Sequence, residues 1–356
     1  MNASTTGLIS AAALALVVFT GCSGKGSAIT APEQLPEAPA RVDEGVVPLE
    51  SLAGRQIFPA SDGWNLDASQ APVDPNSQAY IDWLSGRTAE NPTAVAELAP
   101  YFGPAPFGIP YIVVSGSQPL LPVTFVEYPA ESDVGAPGRP AGYPIPELAS
   151  RQAGYIEGNV PGGGPTGDRH MIVVDRDNGL LFETWATRWN PTAKRWEAGS
   201  GAVFDLSTGS ARPHGWTSAG ASGLAILPGL VRYDEASGPG DIPHAFYVTA
   251  RGTNGHVWPA SHTAGWTAGA PPMGTRLRLK ASVDLSGYPP MVQRIFGAMK
   301  THGLIIADNS GSGLGVVGTM DPRWDTRIIN PAFTHFSADD FEVVQLGWGH
   351  PEPAVP

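Results

Sequence analysis

Five of the eight histidines in this 356-residue chain fall between His170 and His262, and Glu183, Asp205, Asp234 and Glu235 share that stretch. Imidazoles and carboxylates gathered in this way suit acid–base chemistry, which needs one group held protonated beside another held ionised. Glu183 lies in the run Leu181-Phe182-Glu183-Thr184-Trp185, where large apolar neighbours raise a carboxyl pKa by desolvation. Glu235 and Asp308 each end or follow an apolar run, where a side chain can enter a cleft. Two carboxylates flanking one bond are what glycoside hydrolysis requires. Ten tryptophans supply flat rings of the kind that stack on sugars, and Trp216 and Trp258 sit in Gly- and Pro-bounded loops.

These residues support three readings, from two classes. The simplest is a glycoside hydrolase acting on an extracellular polysaccharide or oligosaccharide. The second is a polysaccharide lyase, with His170, His244 or Tyr247 as base and Arg276 neutralising a uronate carboxylate. The third is a non-catalytic glycan-binding protein that uses the tryptophan platforms alone. The expectation common to the enzyme readings is one cleft holding His170, Glu183, Glu235, His244 and Asp308. Trp216, Trp258, Arg276 and Tyr247 would contact the substrate at its edges.

Other chemistries find less support. No His-x-x-x-His or Cys-x-x-Cys spacing occurs, and His256 and His262 are six apart, so neither metal nor cofactor is expected. The Gly-x-Ser-x-Gly elbow of serine hydrolases is missing from the domain. Pro161-Gly162-Gly163-Gly164-Pro165 lacks the Lys-Ser/Thr pair of a phosphate loop. A net charge of −12 argues against nucleic acid and against an electrostatic grip on anionic lipid.

The elements that must position these groups are mostly strands. Gly (44) and Pro (36) punctuate short apolar runs without any period, as in a β-sandwich with long loops. Strands are predicted over residues 111–114, 122–128, 170–175, 180–187, 201–206, 245–250, 275–283, 304–307 and 315–319. Asn178-Gly179 supplies the positive backbone angles of a hairpin between the third and fourth. The alternation Arg276-Leu277-Arg278-Leu279 puts one face in the core and the other toward water or ligand. Residues 290–302 carry Val292, Ile295, Phe296 and Met299 at helical spacing, and shorter helices are predicted over 77–84 and 92–98. The sum is a mainly β, sandwich- or jelly-roll-like single domain with a few short helices.

The ends of the chain point outward from the cytoplasm. Residues 8–20 form an apolar run too short to span a bilayer and suited to a signal peptide. Phe19-Thr20-Gly21-Cys22 resembles the lipobox of bacterial lipoproteins, which implies cleavage before Cys22 and lipidation of its thiol. Phe19 replaces the usual leucine, and residues 1–7 carry no Lys or Arg. Cys22 is the sole cysteine, so no intrachain disulfide forms. The expected plan is a signal peptide over 1–21, a lipidated tether over 22–50, one domain over 51–348, and a disordered tail over 349–356. The protein would then be exported, periplasmic or at the cell surface, and held to the membrane by its lipid. Oligomeric state is not legible.

Six stretches, in order, carry a further likeness. They are Gly167-Asp168-Arg169-His170-Met171-Ile172-Val173-Val174, Ala211-Arg212-Pro213-His214-Gly215-Trp216-Thr217-Ser218-Ala219, Pro228-Gly229-Leu230-Val231-Arg232-Tyr233-Asp234-Glu235, Ile242-Pro243-His244-Ala245, Val257-Trp258-Pro259-Ala260-Ser261-His262 and Gly303-Leu304-Ile305-Ile306-Ala307-Asp308-Asn309. Together they resemble an uncharacterised group of exported bacterial proteins over roughly residues 57–324. The resemblance implies one shared domain and life outside the cytoplasm, and brings no reaction with it.

Overall fold

The computed structural model describes residues 45–351, apart from 136–138, 210 and 312. The signal peptide, Cys22 and most of the expected tether therefore lie outside the described residues, as does the tail from 352. In chain order the regular elements are β1 (Val47–Pro48), α1 (Ser77–Ser85), β2 (Leu98–Gly103), β3 (Tyr111–Val114), β4 (Val123–Phe125), β5 (Met171–Asp175) and β6 (Leu180–Trp185). There follow β7 (Arg188–Asn190), β8 (Arg195–Ala198), β9 (Ser200–Asp205), α2 (Tyr233–Ala236), β10 (Phe246–Ala250) and β11 (Arg276–Leu279). The last are α3 (Pro290–Thr301), β12 (Leu304–Asn309), β13 (Leu314–Met320), α4 (Thr326–Thr334) and β14 (Phe341–Val343). The chain is mainly β, as its punctuated apolar runs predict.

Three sheets form, in the orders β1-β3-β5-β6-β9, β14-β11-β12-β10-β13-β2 and β4-β8-β7. The larger two are mixed, with parallel pairs β3–β5, β10–β12 and β13–β2 among antiparallel ones. They pack face to face in a sandwich. Ile172, Val174, Leu181 and Phe204 of the first meet Tyr247, Ile305, Ala307 and Val317 of the second. The opposite face of the first sheet is covered as well, Val173, Phe182 and Val203 packing on Phe125, Tyr143 and Trp196. Helices α3 and α4 cover the second sheet, bringing Ile295, Phe296 and Phe333 against Phe246, Val248 and Ile306. Burial on both faces explains why these strands read as continuous apolar runs rather than alternating ones.

Several local expectations need correction. Residues 92–98 are not helical. Glu97 bridges Ser337 and the Leu98 amide donates to the Phe336 carbonyl, so the chain enters β2 extended. The polar face of β11 packs against other parts of the chain. Arg276 and Arg278 are buried there, covered by carbonyls of residues 63–71. Helix α4 escapes the apolar-spacing argument because Pro331 lies inside it, while Asp325 caps its start by accepting the Arg327 amide at 3.0 Å. The β5–β6 hairpin forms, but residues 176–179 make a longer loop in which Gly179 takes a positive φ, +66°, and Asn178 does not.

Both ends of the domain reach beyond 51–348. β1 pairs with β3, the Tyr111 hydroxyl donates to the Glu50 carbonyl at 2.5 Å, and Glu50 pairs with Arg176 at 2.9 Å. At the other end His350 packs edge-to-face on Trp258 at 5.8 Å. Composition hid both, since a Pro- and Glu-rich segment can still add a two-residue strand. A chain begun at Ser51 should therefore lose about 1–3 kcal/mol against one begun at Asp43, through the forfeited strand pairing and buried hydroxyl bond. Urea unfolding of the two chains measures this, and coincident midpoints would return the domain start to Ser51.

Candidate active site

Because the faces of both large sheets are largely buried, polar side chains reach a cavity mostly where strands end. At one edge of the first sheet lie the approach to β5, the end of β6 and the start of β9, brought together by antiparallel pairing. At the adjoining edge of the second sheet lie the ends of β10 and β12, where Thr249 pairs with Asp308. Between them opens a cavity of about 570 Å³. His170, Asp308, Tyr247, Ser200, Thr217 and Ser218 line it together with Glu157, Asp168 and His262, and Trp185, Tyr128, Tyr101 and Phe107 contribute aromatic surface.

His170 is the most constrained of these groups. Its Nδ1 donates to Glu157 Oε2 at 2.7 Å and its Nε2 to the Ala219 carbonyl at 3.2 Å. Burial alone would pull the imidazolium pKa down. The Glu157 charge and hydrogen bond outweigh it, with help from Asp168 and Asp308, and hold it at about 9. Glu157 is held below the usual carboxylate range because the same ion pair outweighs its own desolvation. His170 is thus a fixed cation at neutral pH, with both nitrogens engaged, rather than a free base.

The turn leading into β5 is held by force of geometry. Arg169 and Ala186 both adopt left-handed backbone, φ +51° and +53°, which costs a residue with a Cβ about 1–2 kcal/mol. Bonds from the Ala186 amide to the Asp168 carbonyl (2.7 Å) and from Thr187 to Arg169 (3.2 Å) lock the two turns together. The lock sets Asp168 beside Trp185, whose indole N–H donates to Asp168 Oδ1 at 3.2 Å. On the facing wall the Tyr247 hydroxyl donates to Asp308 Oδ2 and to the Ala307 carbonyl, each at 3.2 Å. Desolvation raises the Asp308 pKa, and the Asn309 amide, His170 and Tyr247 offset it only in part. Tyr247 itself is pushed far above the ordinary phenol value by burial and by Asp308.

The expected cluster is brought together only in part. His170, Tyr247 and Asp308 share the cavity. Glu183 lies beneath it, fully buried, and accepts the Ile226 amide at 2.8 Å and the Leu227 amide at 2.8 Å. Burial raises its pKa to about 7 against the pull of these donors. Glu235 and His244 belong to a separate buried group. There Glu235 receives His244 Nε2 at 2.9 Å and Arg232 Nη2 at 2.5 Å, and the charges of Arg232 and His244 bring its pKa below the usual range despite burial. Trp216 lies near the Arg212 guanidinium, 5.7 Å from ring centroid to Cζ, and Trp258 borders a second depression with His214 and His256. Arg276 bonds the His302 and Gly63 carbonyls in the interior, where burial lowers its pKa to about 10.

Sequence reasoning passed over Glu157, Asp168, Trp185, Tyr128 and His262 as site residues. The stretch containing His170 already included Asp168, two residues away on the same turn. Trp185 ended the strand chosen for Glu183. Glu157 carried no signal, since it stands alone in a Gly-rich loop. Among the described residues no group of three or more His, Cys, Asp or Glu is placed to hold a metal ion. Comparison of the chain with family models, curated proteins and solved structures gives no match.

The His170–Glu157 pair has a consequence for stability. A histidine raised from its ordinary value near 6.5 to about 9 adds stability that is complete below pH 6.5 and lost as pH climbs through 9. Glu183, raised to about 7, acts in the same direction but is half titrated by that pH and nearly finished by pH 8, so the fall between pH 7 and 9 comes chiefly from His170. Unfolding free energy should fall across that window by on the order of 2 kcal/mol. In Glu157→Gln the fall should shrink to a small residue, as followed by denaturant midpoints at each pH. An unchanged slope in the variant would remove Glu157 as the cause.

Proposed function

We propose that the protein is an exported glycoside hydrolase that cleaves an extracellular glycan in this cavity. The observation that carries the reading is a pair of carboxylates in contrasting surroundings. Asp308 is half-buried beside the Tyr247 hydroxyl with a pKa raised by desolvation, whereas Asp168 is exposed and anchored to the Trp185 indole. Asp308 is the acid. It gives its proton to the glycosidic oxygen as the bond from that oxygen to the sugar carbon breaks. Asp168 faces the positive charge that develops on the sugar ring and takes the proton of the water that adds to that carbon, and Asp308 regains its proton from solvent. Tyr247 holds Asp308 in place, and the aromatic surface receives the sugar faces. The lyase reading loses support here, because Arg276 is buried elsewhere and no Lys or Arg is among the described residues lining the cavity.

Asp308→Asn should abolish release of reducing ends from a responsive glycan, a loss of at least about 100-fold, with little change in melting temperature. Activity of the unaltered chain should decline as rising pH deprotonates Asp308, at a pH above that of an ordinary aspartate. Glu183→Gln should behave in the opposite way. Turnover per folded molecule persists, while stability drops by about 1–3 kcal/mol because the new amide N–H₂ faces backbone N–H donors. Turnover retained in Asp308→Asn, or binding without cleavage in the unaltered chain, would end the hydrolase reading.

The anchoring of the enzyme is part of the proposal and rests on the sequence of residues 8–22. A lipid on Cys22 would consume the lone thiol and keep the domain at a membrane surface. In a bacterial host, a palmitate analogue should label the unaltered chain and leave Cys22→Ser unlabelled. Equal labelling of both would refute it.

A further inference from the structure

We infer that the mouth of this cavity recognises a charged amine, which makes the substrate a glycan carrying free amino sugars. The inference rests on the hydrolase reading for the ligand being a glycan at all, and on separate geometry for the amine. Trp185 and Tyr128 line the same cavity with ring centroids 6.3 Å apart and planes at 55°, an open V rather than a stack. The Asp168 carboxylate sits at the edge of this V, bound to the indole N–H. Two aromatic faces and one carboxylate are the chemistry that holds an ammonium group, since the ring faces and the carboxylate are all negative.

The V is built in advance. The Gly199 amide donates to the Trp185 carbonyl at 2.7 Å, and the Tyr128 amide donates to the Gly199 carbonyl at 2.9 Å. A Cβ on Gly199 would stand 2.4 Å from the indole Cε3, so the ring lies over a position that only glycine leaves open. The chain fills other aromatic faces with its own cations: Arg251 lies over Trp83 at 4.6 Å and Arg323 over Tyr233 at 4.5 Å. Among the described residues no such cation lies over Trp185 or Tyr128.

Charge around the cavity points the same way. Glu157 matches the His170 cation. Asp168 remains, with no Lys or Arg among the described lining residues to balance it, while Asp308 is neutral in its acid form. A uronate would meet repulsion there, an N-acetylated sugar would meet neither gain nor penalty, and an ammonium would be attracted. Tyr128 is 40% exposed, so the V is open to an arriving chain.

The test uses the full-length chain carrying Asp308→Asn, which blocks turnover, and titration calorimetry at low ionic strength. The probes are short oligomers of glucosamine, N-acetylglucosamine and galacturonate, at a pH where the amine is charged. The glucosamine oligomer should bind at least about tenfold more tightly than the N-acetylated one. Added salt should narrow that margin. Adding Asp168→Asn, which keeps an oxygen for the indole N–H, or Tyr128→Leu, which alters a half-open side chain, should each cut binding about 5- to 30-fold. Binding of the N-acetylated oligomer should hardly change in Asp168→Asn. Equal affinity for the two amino-sugar oligomers, tighter binding of galacturonate, or no binding by any oligomer would overturn the inference. A glucosamine oligomer bound at the V but left uncut by the unaltered chain would remove the hydrolase reading and leave this one standing. A neutral glycan cut without preference for the amine would do the reverse.

Discussion

Glu183 sits in the middle of a five-stranded sheet, paired with Ile172 on one side and Ala202 on the other, with no exposed surface. A carboxyl group there costs several kcal/mol unless its oxygens are bonded. The donors it takes are the Ile226 and Leu227 amides, which open a short helical turn and have no partner within it. This contact helps to hold residues 218–230 against the first sheet, and that segment forms part of the cavity wall. The Ala219 carbonyl that orients His170 and the Ser218 carbonyl that takes the Ser200 hydroxyl both belong to it. Ala219, Ala221 and Ile226 line the cavity themselves. Glu183 thus supports the wall from beneath, and His170 and Ser200 each bond a carbonyl of the segment it holds.

Double-sided burial then decides where chemistry can occur. With most strand faces covered by apolar residues, a polar group inside a strand must find its partner within the protein, as Glu183 does. Most polar groups that line the cavity stand at strand ends or in the turns beyond them. His170 precedes β5, Trp185 ends β6, Ser200 opens β9, and Asp308 and Asn309 close β12. The sandwich sets these ends side by side, and the strained turns at Arg169 and Ala186 aim them. Those strained turns persist only because the sheets behind them are rigid.

The same logic separates what was legible in the sequence from what was not. Strand interiors were legible because buried runs bounded by Gly and Pro have few alternatives, and Gly179 marked its hairpin through a positive φ. Helix α3 was legible from its apolar stripe, whereas Pro331 concealed α4. Asp308, Tyr247 and His170 were legible because each neighbours an apolar run that places it. Glu235 and His244 had equal claims by that criterion. An apolar neighbour says that a side chain points inward, without distinguishing a cavity from a core. Glu235 turned to Arg232 and His244, and the sequence holds no term for that choice. Trp216 and Trp258, in Gly- and Pro-bounded loops, stand outside the cavity lining, whereas Trp185 at the end of a strand is part of it.

The placement of arginines explains the electrostatic character of the cavity. A chain with 44 glycines and 36 prolines has long irregular loops whose carbonyls lack partners in sheets or helices. Buried guanidinium groups supply them. Arg212 reaches the Thr217 and Glu131 carbonyls as well as Asp133, Arg276 reaches those of His302 and Gly63, and Arg278 those of Ala68 and Ala71. A planar, always-charged fork with five donors suits this work, and lysine would not replace it. Arginines engaged as loop clamps in the interior do not reach the cavity, and among its described lining residues there is no Lys or Arg. The composition that makes the loops thus also fixes the sign of the site, through the carbonyls those loops leave to be satisfied.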